Sequence, residues 1–417
     1  MDGAKVEESP EEGVRVVNEE VGEHQKEVVA DAARKQGIDE DQIDLFRQFT
    51  AAGAEWHDGM TKKLMRKVDL HLLPMLVLMY MLNFLDRNNL AQARLGTLEE
   101  DLGMTGTDFN LATSILFVGY ILMQLPSNLL LTRVRPSTHL GVCMAIWGVI
   151  STAQAATQTF PALVACRFVL GFAEAPYFPG AIFLMSSWYT RSELALRIAW
   201  FYSGHSIANA FGGLLGAGVL GNLSGAHGIA GWRWLFIIEG SITVFSAVCS
   251  IFILPNYPAT TRWLSPEERA YARWRLLRDA GGEADEADAS SVREGVALAL
   301  RDPRLYLFTL LQHASLLSQT FQYFFPSILQ TLGYGSIETL LLTVPVWVLT
   351  FLASLVVTYT SGRYADRSIH VVCLIMVSAA GNIIVVSTLN TAVRFFALFL
   401  LPLGAVPAYQ TYIYIGY

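Results

Sequence analysis

An all-α polytopic membrane protein is the fold class this sequence predicts, and three observations carry the prediction. Of the 417 residues, 53% are hydrophobic and 16% charged, whereas ordinary soluble domains are about a quarter charged; mean hydropathy is +0.39. The apolar residues gather into long stretches, most of them near the ~20 residues that a helix needs to cross about 30 Å of hydrocarbon. Segments such as IIEGSITVFSAVCSIFILP are apolar all round, where a soluble bundle helix would keep a polar face. Hydrocarbon offers backbone donors and acceptors no partners, so the spans must be helical. An outer-membrane barrel would instead alternate over roughly ten residues.

In chain order, residues 1–61 read as an acidic, flexible cytoplasmic tail. Positions 1–60 carry 16 acidic and 6 basic side chains, with Glu7, Glu8, Glu11, Glu12, Glu19 and Glu20 at the front, and no signal-peptide pattern. The pattern Ile38, Ile43, Leu45, Phe46, Phe49 predicts at most a marginal surface helix. A six-helix bundle over 62–255 follows, with spans at 68–91, 111–132, 140–158, 162–187, 197–220 and 232–254. The connection 256–304 is a cytoplasmic loop in which Ser265-Pro266-Glu267-Glu268 has the form of a capping box. Arg269, Arg273, Arg275 and Arg278 then line a short amphipathic helix suited to a membrane face, and GGEADEADAS at 281–290 reads as flexible. Four further spans, 305–329, 336–358, 369–388 and 393–413, make a second bundle over 305–417.

Charge sets the orientation. Lys62, Lys63, Arg66 and Lys67, then Arg133 and Arg135, Arg191 and Arg197, and Arg363 and Arg367 fall on one side, which the positive-inside rule makes cytoplasmic along with the N-terminus. Glu99, Glu100, Asp101 and Asp108 fall on the other, with the glycosylation acceptor Asn222-Leu223-Ser224. Cys143, Cys166, Cys249 and Cys373 lie in apolar stretches without metal-site spacing and read as buried small hydrophobes. No metal, cofactor or nucleic-acid partner is expected. Nor is an enzyme, since no metal cluster, phosphate-cradling loop or nucleophile–base pair is evident.

Two bundles joined by a long central loop suggest a secondary transporter with its site near the midplane. Ionisable residues inside spans belong at an interior cavity, and the informative ones are Asp86 and Arg87 in the first span and Arg167 and Glu174 in the fourth. Arg167 and Glu174 are seven residues apart, so they share nearly one helix face. An arginine there suits a carboxylate, and a buried carboxyl suits a proton. The expected activity is proton-coupled uptake of a small organic anion, with Asp86 or Glu174 carrying the proton and Arg87 or Arg167 attracting substrate. The alternative at this point is a permanent ion pair within the fourth span and an interfacial anchor pair in the first. Tyr120 with Gln124, His205 with Asn209, and His313 with Gln319 to Gln322 are further candidate contacts, and Gly212, Gly213 and Gly216 suit close helix approach.

The blocks NFLDRNNLAQA (83–93), GYILMQLPSNLLLTRVRPSTHLG (119–141), RFVLGFAEAPYFPG (167–180), GWRWLFIIEG (231–240), LPNYPATTRWLSPEERA (254–270) and GRYADR (362–367) resemble the major facilitator superfamily, and within it the anion:cation symporter branch of fungal allantoate permease type. The resemblance implies two pseudo-symmetric bundles, alternating access, a plasma membrane location, a monomer, and symport of anions such as allantoate, nicotinate, pantothenate or a related vitamin. It implies functional roles for Asp86, Arg87, Arg167 and Glu174, and a substrate contact at Tyr120. The family's gating motif is degraded after the second span to Asn128, Arg133 and Arg135, and better kept as Gly362, Arg363, Asp366 and Arg367. Ten spans against an expected twelve imply a second bundle short of two helices. That shortfall, with the acidic tail, lends support to the alternative of a non-transporting nutrient sensor on the same scaffold.

Overall fold

The computed structural model describes residues 27–34, 37–131, 134–280, 292–364 and 367–416. The helices that matter for function are α1 (Glu40–Ala51), α2 (Ala54–Ala93), α3 (Asp108–Leu131), α4 (Pro136–Gln154), α5 (Phe160–Glu174), α6 (Tyr177–Ser186), α7 (Arg191–Asn222), α8 (Gly231–Ile253), α9 (Pro266–Asp279), α10 (Pro303–Gln319), α11 (Phe325–Gln330), α12 (Ser336–Tyr364), α13 (Arg367–Ser387) and α14 (Thr391–Gly416). They fall into two compact units. One gathers Met1–Leu70, Ser186–Arg191 and Pro255–Arg301; the other gathers His71–Met185, Ser192–Leu254 and Asp302–Tyr417.

The first unit is built on α9. Ser265 accepts from the Glu268 backbone N–H at 3.2 Å while the Glu268 carboxylate accepts from the Ser265 N–H at 3.0 Å, the capping box its sequence spells. The expected flexible tail is ordered at α1, which buries Ile43, Phe46 and Phe49. Phe49 meets Tyr271 and Trp274 edge-on, and Trp274 donates from Nε1 to Thr50 at 3.1 Å. Three apolar side chains one turn apart are enough to hold a helix whose other residues are mostly polar. The arginines of α9 do not form a face left for lipid. Arg273 donates to Gln42 at 3.0 Å, Arg275 is buried beside Met65, and Arg278 lies over the Trp274 ring. The segment 281–290 lies outside the described residues.

Glu268 is 1% exposed, and its carboxylate meets Lys67 Nζ at 2.7 and 2.9 Å and Lys63 at 3.3 Å. Burial works to raise its pKa, but Lys67, the Ser265 N–H and Lys63 together hold it down at about 2. A depressed carboxyl stabilises the fold above its unfolded value, near 4.5, and the contribution is lost as pH falls through 2. Glu268→Gln is therefore expected to lower the unfolding free energy of this unit by about 1–3 kcal/mol at neutral pH. In thermal melts, the difference from the parent should vanish as the buffer is taken from pH 5 toward pH 2.

Seven helices among the described residues are long and apolar enough to cross a membrane: Ala54–Ala93, Asp108–Leu131, Phe160–Ser186, Gly231–Ile253, Ser336–Arg363, Arg367–Ser387 and Thr391–Thr411. This corrects the ten expected. The other three predicted spans are helical but fall short for separate reasons. The α4 helix opens on Pro-Ser-Thr-His and ends on Gln154, glycines and polar residues dilute α7, and α10 has 17 residues, about 25 Å of rise. The predicted span 305–329 is interrupted, because a 3₁₀ turn over Thr320–Phe324 separates α10 from α11. Likewise 162–187 breaks at Pro176, which has no N–H to continue the ladder.

Close packing is set by glycine. A Cβ on Gly171 of α5 would lie 2.0 Å from Leu116 O, and one on Gly119 of α3 would lie 2.2 Å from Phe168 O, so these helices touch backbone to backbone. Gly212 and Gly216 of α7 admit Gln92 in the same way, and Gly213 admits Thr343. The cysteines correct their reading as buried: Cys143, Cys166 and Cys249 are half-buried and Cys373 is exposed.

Candidate functional site

Four helices of the second unit turn a polar and aromatic stripe toward one cavity of about 480 Å³, within the usual range for small-ligand sites. On α2 the stripe is Tyr80, Asn83, Phe84 and Arg87; on α3 it is Phe117, Tyr120, Ile121 and Gln124. Both follow the i, i+3, i+4, i+7 spacing of a single helix face. The opposite wall has Gln312, Leu316 and Gln319 of α10, Gln322 and Tyr323 of the 3₁₀ turn, and Val406, Tyr409 and Gln410 of α14. Phe178, Tyr202 and His205 complete the lining.

Arg87 is the cation of this cavity. Its Nε–H donates to Glu174 Oε2 at 2.5 Å, and its guanidinium carbon lies 4.8 Å from the Tyr120 ring centroid and 5.6 Å from that of Phe84. Stacking on aromatic faces holds the planar group in place while one edge is tied to a carboxylate. Glu174 is fully buried and its second oxygen, Oε1, has no hydrogen-bond partner among the described residues. Behind Arg87, Asp86 is fully buried with both oxygens occupied: Ser151 donates to Oδ1 at 2.6 Å and Thr243 to Oδ2 at 2.9 Å.

Arg167, at 2% exposure, lies outside the cavity lining. It donates to three backbone carbonyls, those of Ala112 at 3.4 Å, Asp86 at 3.4 Å and Arg87 at 3.2 Å. The ion pair thus runs between helices, from Arg87 of α2 to Glu174 of α5, and not within the fourth span. Both side chains meet α2, Arg167 by donating to the Asp86 and Arg87 carbonyls and Glu174 by accepting from the Arg87 guanidinium.

Arg87, Tyr120 and Gln124 line the cavity as candidate contacts, whereas His313 is exposed and its neighbour Gln312 lines the wall, donating to the Tyr409 hydroxyl at 3.0 Å. Positions 312, 316 and 319 share a face from which 313 is rotated by about 100°. Arg135 is exposed ahead of α4, Gly362 and Arg363 are exposed at the end of α12, where Arg363 donates to the Tyr359 hydroxyl at 3.2 Å, and Arg367 opens α13. Arg133 and Asp366 lie outside the described residues. Asn222 is exposed at the end of α7, its amide donating to Gly218 O at 2.8 Å. No group of metal-ligating side chains occurs among the described residues. Tyr80, Asn83, Phe84, Tyr323, Tyr409 and Gln410 were not anticipated from sequence. For the first three, the polar and aromatic stripe ending on Arg87 was the available signal.

Comparison with known proteins identifies the family and the fold. The family model described as Major Facilitator Superfamily matches residues 76–416. The chain is 34% identical over 378 residues to the MFS-type transporter cnsO of Penicillium expansum, which covers 88% of this chain and 72% of that protein. It is 30% identical over 341 residues to a putative tartrate transporter of Agrobacterium vitis, covering 82% and 74% respectively. Across the curated relatives it spans 65% to 74% of their length. Among solved structures, a bacterial homologue of the human lysosomal transporter Spinster, inward-facing and unoccupied, superposes with a TM-score of 0.59 at 16% identity over 82% of this chain and 74% of that one. That likeness speaks for the fold, two helical bundles. Family and fold are those of transporters and not of enzymes. The chain, an all-α protein crossing the membrane several times, belongs to the major facilitator superfamily of secondary transporters.

Proposed function

We propose that the chain carries a small organic anion across the membrane in symport with a proton, by alternating access, and that the anion is a compact carboxylate with hydrogen-bonding groups of its own. The observation that carries this reading is the Arg87–Glu174 pair at the cavity wall. Arg87 is held in place by Tyr120 and Phe84 on one side and by Glu174 on the other. A carboxylate entering the cavity competes with Glu174 for the guanidinium. Protonation of Glu174 removes that competitor and keeps the net charge of the site unchanged when the anion arrives. One proton and one anion are thereby favoured together.

The rest of the lining narrows the substrate. Gln124, Gln312, Gln319, Gln322, Gln410 and Asn83 offer neutral amides, and the phenyl and phenol rings offer flat walls. A nutrient such as nicotinate, allantoate or a small vitamin acid, the class carried by the allantoate permease branch that the sequence resembles, fits such a mixture. Long apolar anions would leave the amides unpaired. Arg135, Arg363 and Arg367 are read as gating contacts at helix ends. The basic side of the chain is read as cytoplasmic and the membrane as the plasma membrane.

Proteoliposome uptake tests the coupling. With the outside acidic, labelled nicotinate or allantoate should accumulate several-fold above equilibration, and collapse of the pH gradient should abolish the excess. Glu174→Gln should keep exchange of internal for external substrate while removing gradient-driven accumulation. Accumulation of the same size with no pH gradient, in parent and variant alike, would contradict proton symport.

A further inference from the structure

The α4 and α8 helices pack against each other in antiparallel register. A Cβ on Gly141 would lie 2.4 Å from Ile251, one on Gly148 2.9 Å from Val244, and one on Gly240 2.2 Å from Thr152. As the numbers rise along α4 they fall along α8. Asp86 of α2 joins the pair by accepting from Ser151 of α4 and Thr243 of α8. One turn further along each helix, toward the same end, come Asn89 of α2, Gln154 of α4 and Glu239 of α8. The connections α2–α3–α4 run down and back, so α2 and α4 are parallel and α8 opposes both, which puts these three residues at one level.

All three are buried, Asn89 and Gln154 at 0% exposure and Glu239 at 1%. Both side-chain polar atoms of each lack a hydrogen-bond partner among the described residues. Six unpartnered buried polar atoms on three facing helices are far more than a folded interior usually leaves. On the side away from Asp86, the level is closed by an apolar cluster that includes Leu90, Phe109, Leu163, Trp232 and Phe236.

Ionised, the Glu239 carboxylate could accept from the amide N–H groups of Asn89 and Gln154 but would have no hydrogen to give their amide oxygens. A carboxylate offers acceptors alone, whereas a carboxylic acid offers one O–H donor and one acceptor, the match for a carboxamide. Asp86 is the charged group in electrostatic contact with Glu239. The residues α4 turns toward this level, Ser151, Thr152 and Gln154, carry no charge, and behind Asp86 stand Glu174 and Arg167. Among the described residues no cation stands against Glu239 to hold it ionised.

We propose that Glu239 is a second proton-binding group of the transport cycle, outside the substrate cavity, sharing one proton with Asp86. When the O–H bond on Glu239 breaks, one forms on Asp86, and the pair keeps a single negative charge during that transfer; the step that answers to the pH gradient is the loss of this proton from Asp86 to water when the carrier opens. The two helices that hold Asp86 by hydroxyls are also those that carry Gln154 and Glu239, so the site of the proton is tied to the packing of α4 on α8. This rests on reading the chain as a proton-coupled carrier.

Glu239→Gln in the full-length chain tests the proposal, because a carboxamide imitates the neutral acid. In proteoliposomes the variant should retain substrate exchange at equal pH within about threefold of the parent and lose at least tenfold of the accumulation driven by a pH gradient. Infrared spectra of the purified, substrate-free parent should contain a protonated-carboxyl C=O band that Glu239→Gln removes. Gradient-driven accumulation unchanged in the variant, or a parent spectrum without that band, would overturn the assignment. So would a variant that fails to fold, since a neutral residue would then have been replaced by a neutral isostere at high cost. A parent that never responds to a pH gradient would refute the symport reading, and the infrared band would still decide whether Glu239 holds a proton.

Discussion

Arg87→Leu is expected to abolish high-affinity binding of an anionic substrate, weakening it by about 2–5 kcal/mol, or roughly 30-fold to several thousand-fold in Kd. Arg87 is the cation in the cavity lining, and no other arginine or lysine contributes to that wall. The substitution also strands Glu174, which is fully buried and has Arg87 as its salt-bridge partner, so the single variant should melt at a lower temperature than the parent. Adding Glu174→Gln removes the stranded charge. The double variant should recover the parent's melting temperature without recovering binding, and that split separates a substrate contact from a structural ion pair. Arg87→Lys keeps the charge but loses the planar fork and the stacking on Tyr120, with a loss of about tenfold in affinity and little in stability. Isothermal titration and thermal melts on the same purified samples check all three.

Arg167→Lys is expected to do the reverse. Arg167 reaches carbonyls of Asp86 and Arg87 on α2 and of Ala112 on α3 at the same time. A lysine ammonium at the end of a flexible stem cannot span three acceptors on two helices. The variant loses charge-assisted hydrogen bonds while keeping a buried charge, at a cost of about 2–4 kcal/mol. Its thermal midpoint should fall by several degrees, while the folded fraction binds substrate within about threefold of the parent, because the residue does not line the cavity. A Kd raised as far as in Arg87→Lys, with the midpoint unmoved, would place Arg167 on the substrate.

What the sequence made legible divides along physical lines. The positions of the most apolar membrane helices follow from hydropathy alone, since a stretch such as IIVVS or LLLTVPVWVLTF has nowhere to go but a span or a core, whereas those of the three diluted or interrupted spans do not. The capping box at Ser265 was readable because all its partners lie within four residues. The pairing of Arg87 with Glu174 was not, because the two are 87 residues apart and helical spacing tells which residues share a face but not what faces them. His313 stood in for Gln312 for a similar reason: with the helix rotation unknown, a histidine in an apolar stretch draws the eye before a glutamine does. Glu239 sat in plain view within GWRWLFIIEG. Its meaning depends on the register of α4 against α8, which glycine contacts set and no single-helix pattern reveals. The ordered helix α1 was underestimated because eight polar or small residues dilute the three that are buried.

The central claim is that Arg87 recognises the negative charge of the solute. Equilibrium binding of nicotinate and of its uncharged amide, nicotinamide, to the purified chain tests it with two ligands of nearly one shape. Measurable saturable binding of the acid, at least thirtyfold tighter than the amide and lost in Arg87→Leu, is the predicted result. Equal binding of acid and amide, or binding of the acid that survives Arg87→Leu, would contradict it.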